Sequence, residues 1–314
     1  MTPDSLDAPT TGSSAVSVDS LTLDATTPPR VARPTPSSSE VVRRRPAEEG
    51  LGTLVLIGGA CSPLGDALGA FLDASNARHG GRLVGFTTAS GDPVGSAELW
   101  RSDFDDAGAT NVEIPIVSTR DQAMDKGIAR LVRDADGIFL GGGSQVHLIT
   151  VLSGTAVGCA VREAFMDGRT VCGTSAGAAA ITETTLANGE VDEHGNLIEM
   201  YIGPGLGLLG YGALIDTHFA QRKRLQRLFV AVAEYPKLIG LGIDEDTALV
   251  VKGHRAEVHG AGGVTFVDGS AVRFVNEAEA RRQGSALTLS HLRVGVVGPG
   301  HVFDLKTRDL EGLA

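Results

Sequence analysis

The chain has 314 residues, 42% hydrophobic and 21% charged, the composition of an ordinary water-soluble folded protein. Its formal net charge of −11 argues against nucleic-acid binding, which wants a basic stripe. No apolar run of about 18 residues is present, so no membrane span is expected.

Residues 1–50 hold 7 of the 13 prolines and no aromatic residue, too little apolar surface to offset the entropy of ordering, so this segment is expected to be disordered. Met1–Ser20 lacks a basic start followed by an apolar stretch, so no secretory signal is read and a cytoplasmic protein is expected. The run Arg43-Arg44-Arg45 reads as a solvated linker. From Leu51 the pattern changes. Thr53–Ile57 is a short apolar run closed by Gly58-Gly59, as in a buried parallel strand. A helix is expected over Leu64–Asn76, a strand from Arg82 opening into a loop at Ser90, a helix over Ser96–Gly108, a strand over Asn111–Ile116 and a helix over Asp121–Ala135. Gly137–Leu140 is a strand running into Gly141-Gly142-Gly143, and a helix follows from Gln145 to Leu152. This alternation predicts a doubly wound parallel sheet with helices on both faces, whose ligands bind beyond the carboxyl ends of the strands. After Gly240 come short strands separated by Gly or Asp-Gly turns, which predict an antiparallel β extension.

The most informative segment is Gly173-Thr174-Ser175-Ala176-Gly177, which follows Val171-Cys172. A strand runs into a glycine-flanked serine, and a small-residue helix leads away, the pattern of a sharp turn that exposes a nucleophilic hydroxyl. Asp216-Thr217-His218 ends a later strand, and Asp244-Glu245-Asp246 follows another. Serine, histidine and carboxylate are thus expected at strand ends of one sheet, as a catalytic triad needs. In that reading His218 takes the Ser175 proton and Glu245 orients the imidazole. The oxyanion faces the N–H groups of Ala176 and of the Gly142-Gly143 turn. Other readings compete: a structural histidine, a solvated acidic turn, a phosphate held by Gly141–Gly143. The eight histidines lack zinc-type spacing, so no metal is expected. Cys61, Cys159 and Cys172 are read as reduced, buried small residues.

At these residues the chain resembles the cyanophycinases of the S51 serine peptidases, a family that also holds the aspartyl dipeptidases. The resemblance runs from about Gly52 to the C-terminus. It is carried by LVLIGGA (Leu54–Ala60), FTTAS (Phe86–Ser90), IFLGGGSQ (Ile138–Gln145), GTSAGA (Gly173–Ala178), IGPGLGLL (Ile202–Leu209), IDTHF with QRKRLQRL (Ile215–Phe219, Gln221–Leu228) and GIDEDTA (Gly242–Ala248). It implies a single peptidase domain over residues 51–314. The implied fold is α/β, a flavodoxin-like sheet similar to class I glutamine amidotransferases. It also implies nucleophile Ser175, base His218, acid Glu245, and substrate contacts from Gln145, Asp216, Arg222, Arg224 and Arg227. Arginine forks suit carboxylates, although a solvated basic helix is the competing reading. No cofactor is implied, and a homodimer is. The implied substrate is cyanophycin, a poly-aspartate with arginine on its side chains, cut to β-aspartyl-arginine dipeptides. Short aspartyl or isoaspartyl peptides are the alternative substrates, and a non-catalytic binding module is the alternative to an enzyme. Two places depart from the family pattern near the expected cleft: Cys61-Ser62-Pro63 after the first glycines, and Thr217 where glutamine is common. Between nucleophile and histidine, Glu183–Glu199 reads as a loop, framing the substrate channel with Asp192 and Glu193 or simply lying on the surface.

Overall fold

The computed structural model of the protein describes residues 50–191, 197–276 and 288–312. The expectations for residues 1–49, with Arg43–Arg45, and for Asp192 and Glu193 fall outside the described residues. The described residues belong to one compact unit, Arg45–Ala314.

In chain order the first half runs β1 (Leu54–Ile57), α1 (Asp66–Ala74), β2 (Leu83–Phe86), α2 (Pro93–Asp106), β3 (Val112–Glu113), α3 (Arg120–Ala123), α4 (Lys126–Arg133), β4 (Gly137–Leu140), α5 (Gln145–Leu152), α6 (Ala156–Met166), β5 (Thr170–Thr174) and α7 (Ala176–Ala180). There follow β6 (Thr184–Val191), β7 (Leu197–Pro204), β8 (Ala213–Thr217), α8 (Leu225–Glu234), β9 (Ile239–Ile243), β10 (Thr247–Lys252), β11 (Arg255–Gly260) and β12 (Val264–Asp268). Short strands close the chain: β13 (Phe274–Val275), β14 (Leu289–Ser290), β15 (Arg293–Val297), β16 (Val302–Asp304) and β17 (Asp309–Leu310).

The main sheet has the order β17-β16-β11-β10-β1-β5-β4-β2-β3. Its β1, β5, β4, β2 and β3 are mutually parallel, and β10, β11, β16 and β17 add an antiparallel flank. Strand alternation splits the apolar residues between two layers. Leu54 and Leu56 join the cluster under α4, α5 and α6, while Val55 and Ile57 join Phe71, Phe104 and Phe139 under α1 and α2. Phe104 meets Phe139 edge-on, with ring centroids 5.2 Å apart.

A second sheet, β15-β12-β9-β8, holds the elements that carry the later motifs. Its β9 reads Ile-Gly-Leu-Gly-Ile because the two glycines leave room for the Leu228 and Phe219 side chains that pack across it. The β6–β7 hairpin lays Leu186 and Met200 on the same cluster.

Three sequence expectations are revised. The helix over Asp121–Ala135 is two helices: the Asp125 carboxylate accepts the N–H groups of Gly127 (2.7 Å) and Ile128 (2.9 Å) and so starts α4 afresh. Most of the Glu183–Glu199 loop is the β6–β7 hairpin. Cys159 is exposed on α6, not buried, while Cys172 is buried and Cys61 half-buried. Desolvation, then the Asp246 carboxylate, push the Cys61 thiol up to about 11. Iodoacetamide at pH 8 is therefore expected to alkylate Cys159 alone in the native protein, with Cys61 and Cys172 modified only after unfolding. Mass spectrometry of tryptic peptides reads this directly.

Candidate active site

Ser175 leaves β5 with φ 52° and ψ −117°, a conformation that costs an L residue about 1–3 kcal/mol and recurs at functional turns. The strain sits on the serine itself. Its flanking glycines serve close approach instead: a Cβ on Gly173 would sit on the Gly177 backbone, and one on Gly177 would sit on the Leu140 carbonyl. A Cβ on Gly142 would lie 3.3 Å from the Ser175 Cβ, so the turn after β4 closes against the serine. Among the described residues, no backbone carbonyl takes the N–H of Gly142 or Gly143.

The Ser175 Oγ lies 2.8 Å from His218 Nε2, and His218 Nδ1 lies 2.6 Å from Glu245 Oε1. Ionised Glu245 only accepts, so Nδ1 carries the proton and donates it, and Nε2 offers its lone pair to the serine hydroxyl. The His218 side chain is 11% exposed and that of Glu245 34%, so the imidazole is shielded while the carboxylate keeps contact with water. These groups do not share one sheet. Ser175 ends β5 of the main sheet, whereas His218 and Glu245 follow β8 and β9 of the second. The crossing is short because the chain passes from β9 into β10, and so between the sheets, through the three residues Asp244–Asp246.

Three consecutive carbonyls at the end of β1 join the three arms. Ile57 O accepts the N–H of Ser175 (2.9 Å), Gly58 O that of His218 (2.8 Å) and Gly59 O that of Asp246 (3.0 Å). All three donors have positive φ: 52°, 49° and 49°. The site therefore rests on strained residues pinned to one rigid segment. Asp244 and Asp246 act as struts. Asp244 accepts from Ala220 N–H (3.0 Å) and Gly263 N–H (3.1 Å), and Asp246 accepts from Ser62 N–H (3.0 Å). The acidic turn is thus tied down on both sides of Glu245. Gln221, whose Oε1 accepts the Glu245 N–H at 3.1 Å, is a site residue that sequence reasoning missed. Only its position three residues past the histidine hinted at it.

A cleft of about 300 Å³ opens beside Ser175, lined also by Gly143, Gln145, Ala176, Asp216, Thr217, His218 and the three arginines. Asp216 is buried and held by Arg227 in a two-pronged fork, through Nε at 2.7 Å and through Nη2, and by Arg224 Nη1 at 3.2 Å. Arg224 precedes α8 as its N-cap, so Arg224 and Arg227 reach one carboxylate as i and i+3. Burial lowers the pKa of the Arg224 guanidinium, against the pull of Asp216 and with the help of Arg227 and Arg222. Arg222 comes from the preceding turn and is exposed. Among the described residues its guanidinium has no partner. Gln145 spends its amide N–H groups on the hairpin carbonyls of Leu186 (2.8 Å) and Ala187 (3.2 Å), which leaves its Oε1 as acceptor. Of the two departures, Thr217 lines the cleft, whereas Cys61–Pro63 do not and instead brace the Asp246 turn through Ser62. Among the described residues, no three His, Cys, Asp or Glu side chains converge as metal ligands would. No single described helix is long and apolar enough to cross a membrane.

A doubly wound α/β fold with a strained serine hydrogen-bonded through histidine to glutamate is that of a serine hydrolase. The sequence profile of Peptidase family S51 matches residues 54–259, and the chain belongs to that family. It is 34% identical to the cyanophycinase of Synechococcus elongatus over 227 residues, 71% of this chain and 70% of the relative. It is 36% identical to that of Trichormus variabilis over 207 residues, 65% and 69% of the two chains. Among solved structures, a peptidase from an acI-B1 Actinobacterium superposes with a TM-score of 0.60 at 19% identity, over 81% of this chain and 97% of that one. A putative peptidase E from Listeria monocytogenes gives 0.50 at 17%, over 67% and 99%. These two speak for the fold alone.

Gly59 has φ 102°, and a Cβ there would collide with the His218 ring. Gly59→Ala is expected to cost more than about 1 kcal/mol of stability. It should also lower kcat by about a hundredfold or more through the displaced imidazole. Thermal unfolding and steady-state kinetics measure the two effects separately.

Proposed function

We propose that this S51 peptidase hydrolyses cyanophycin to β-aspartyl-arginine dipeptides through an acyl-enzyme on Ser175. The observation that carries the mechanism is the continuous hydrogen-bonded chain from Ser175 through His218 to Glu245, at the edge of a cleft with three guanidiniums. The curated relatives named cyanophycinase support the substrate. In this reading Ser175 Oγ attacks an aspartyl backbone carbonyl and its proton passes to His218 Nε2. Glu245 stabilises the imidazolium that forms. The oxyanion faces the N–H groups of Ala176 and of the Gly142-Gly143 turn, donors fixed before reaction begins. As the tetrahedral species collapses, His218 returns the proton to the leaving amine. A water then attacks the acyl carbonyl, with His218 again taking the proton and Ser175 leaving as the alcohol. Arg222, Arg224 and Arg227 outnumber the single carboxylate of Asp216, so the cleft holds spare positive charge for a carboxylate of the polymer, which in each unit is the α-carboxylate of arginine. Gln145 offers its Oε1 as a hydrogen-bond acceptor there.

Purified protein incubated with cyanophycin is expected to release β-aspartyl-arginine, identified by mass spectrometry. Ser175→Ala should remove that release while the protein melts as before. Undiminished turnover by this variant would falsify the assignment of the nucleophile. Glu245→Gln should lower kcat about a thousandfold or more, with KM little changed, because the imidazole loses its charged partner.

A further inference from the structure

Leu186, Ala187 and Asn188 of the β6–β7 hairpin form part of the cleft lining, and the hairpin is tied down beside Arg227. Gln145 binds the carbonyls of Leu186 and Ala187, and Arg227 Nη1 binds the carbonyl of Gly189 at 2.9 Å. Between these anchors Asn188 lines the cleft. Its Oδ1 accepts the Gly189 N–H at 2.9 Å, which turns its Nδ2 toward Glu199 Oε2 at 2.7 Å on β7. A carboxylate is thereby fixed one hydrogen bond from the cleft. Tyr201, the cross-strand partner of Asn188, stands on the same face of β7 as Glu199 and is 59% exposed. The Glu199 carboxylate beside it raises the pKa of the phenol. The donor that Glu199 accepts from, the Asn188 amide, is neutral, and among the described residues Glu199 has no cationic partner.

An oriented carboxylate without a counter-ion, beside an exposed aromatic ring, suits a planar cation. We propose that Glu199, with Tyr201, binds the guanidinium of the substrate's arginine side chain, so that the hairpin selects cationic side chains while the arginines of the cleft hold a carboxylate. This rests on the cyanophycin reading above and adds the residue that senses the arginine.

The test uses two synthetic oligo-aspartates, one with arginine on every side chain and one with citrulline, its neutral isostere. Wild-type protein is expected to cut the arginine oligomer with kcat/KM about tenfold or more above the citrulline oligomer. Glu199→Gln should erase that preference by raising KM for the arginine oligomer, with kcat for both and KM for citrulline unchanged. A wild-type protein that cuts both oligomers equally well overturns the inference without any variant being made. So does a Glu199→Gln protein that keeps the preference, or that loses activity equally on both. If the wild type cuts neither oligomer, the cyanophycin reading fails and the inference falls with it.

Discussion

The row of carbonyls at the end of β1 is the constraint on which the rest of the site depends. Ile57, Gly58 and Gly59 each accept one N–H, from Ser175, His218 and Asp246 in turn. Each of those donors is held at a positive φ that an isolated chain would avoid. A buried amide hydrogen bond contributes about 1 kcal/mol net, comparable to the strain at each arm. The row also does what side-chain contacts alone cannot. It ties two sheets together at the candidate site, so that the serine on one and the histidine and glutamate on the other stay within hydrogen-bond reach. Glycine is required here for space as much as for φ, since any Cβ on Gly58 or Gly59 would strike the Asp244 backbone or the His218 ring.

The same economy appears in the cleft. Asp216 is buried, and a lone buried carboxylate would be costly. Arg227 and Arg224 neutralise it and are themselves fixed by it. Arg224 also binds the Thr217 carbonyl at 2.6 Å, and Arg227 binds the Gly189 carbonyl. One carboxylate thus positions α8, the strand end before His218 and the hairpin. Asp216 is better understood as the anchor of the arginines than as a ligand free to meet substrate.

Much of this was legible in the sequence because it is local. The apolar run Leu54–Ile57, the elbow at Ser175 and the strand ends at Thr217 and Ile243 each announce themselves within a few residues. What was not legible is non-local. Nothing in Gly58-Gly59 says that their carbonyls receive His218 and Asp246, more than 150 positions away. The assignment of serine, histidine and acid to one sheet failed for the same reason: strand order depends on pairings that propensity does not encode. Other misses were readable. Val157, Ala160, Val161, Ala164 and Phe165 repeat with the spacing of the buried face of α6. Asp125 before Lys126-Gly127 is an N-cap signal. The hairpin was hidden by its glycines and polar residues, since one of its faces lines the cleft and only Leu186, Met200 and their neighbours need to be apolar.

Net charge bears on recognition less than its distribution does. The chain carries a formal −11, yet three guanidiniums line its cleft against the single carboxylate of Asp216, and Glu199 stands one hydrogen bond behind Asn188. A long-range field of that sign would repel a plain polyanion, and screening limits its reach to about 8–10 Å at physiological salt. The proposed substrate, a polymer with one carboxylate and one guanidinium per unit, is close to neutral overall, so that field hardly steers it. What the polymer offers is alternating charge at close range. In the proposed reading, arginines that meet a carboxylate and a Glu199 that meets a guanidinium match that pattern in one orientation and mismatch it in the reverse. In that reading orientation matters because the Ser175 hydroxyl is held in a fixed direction by the row of carbonyls behind it.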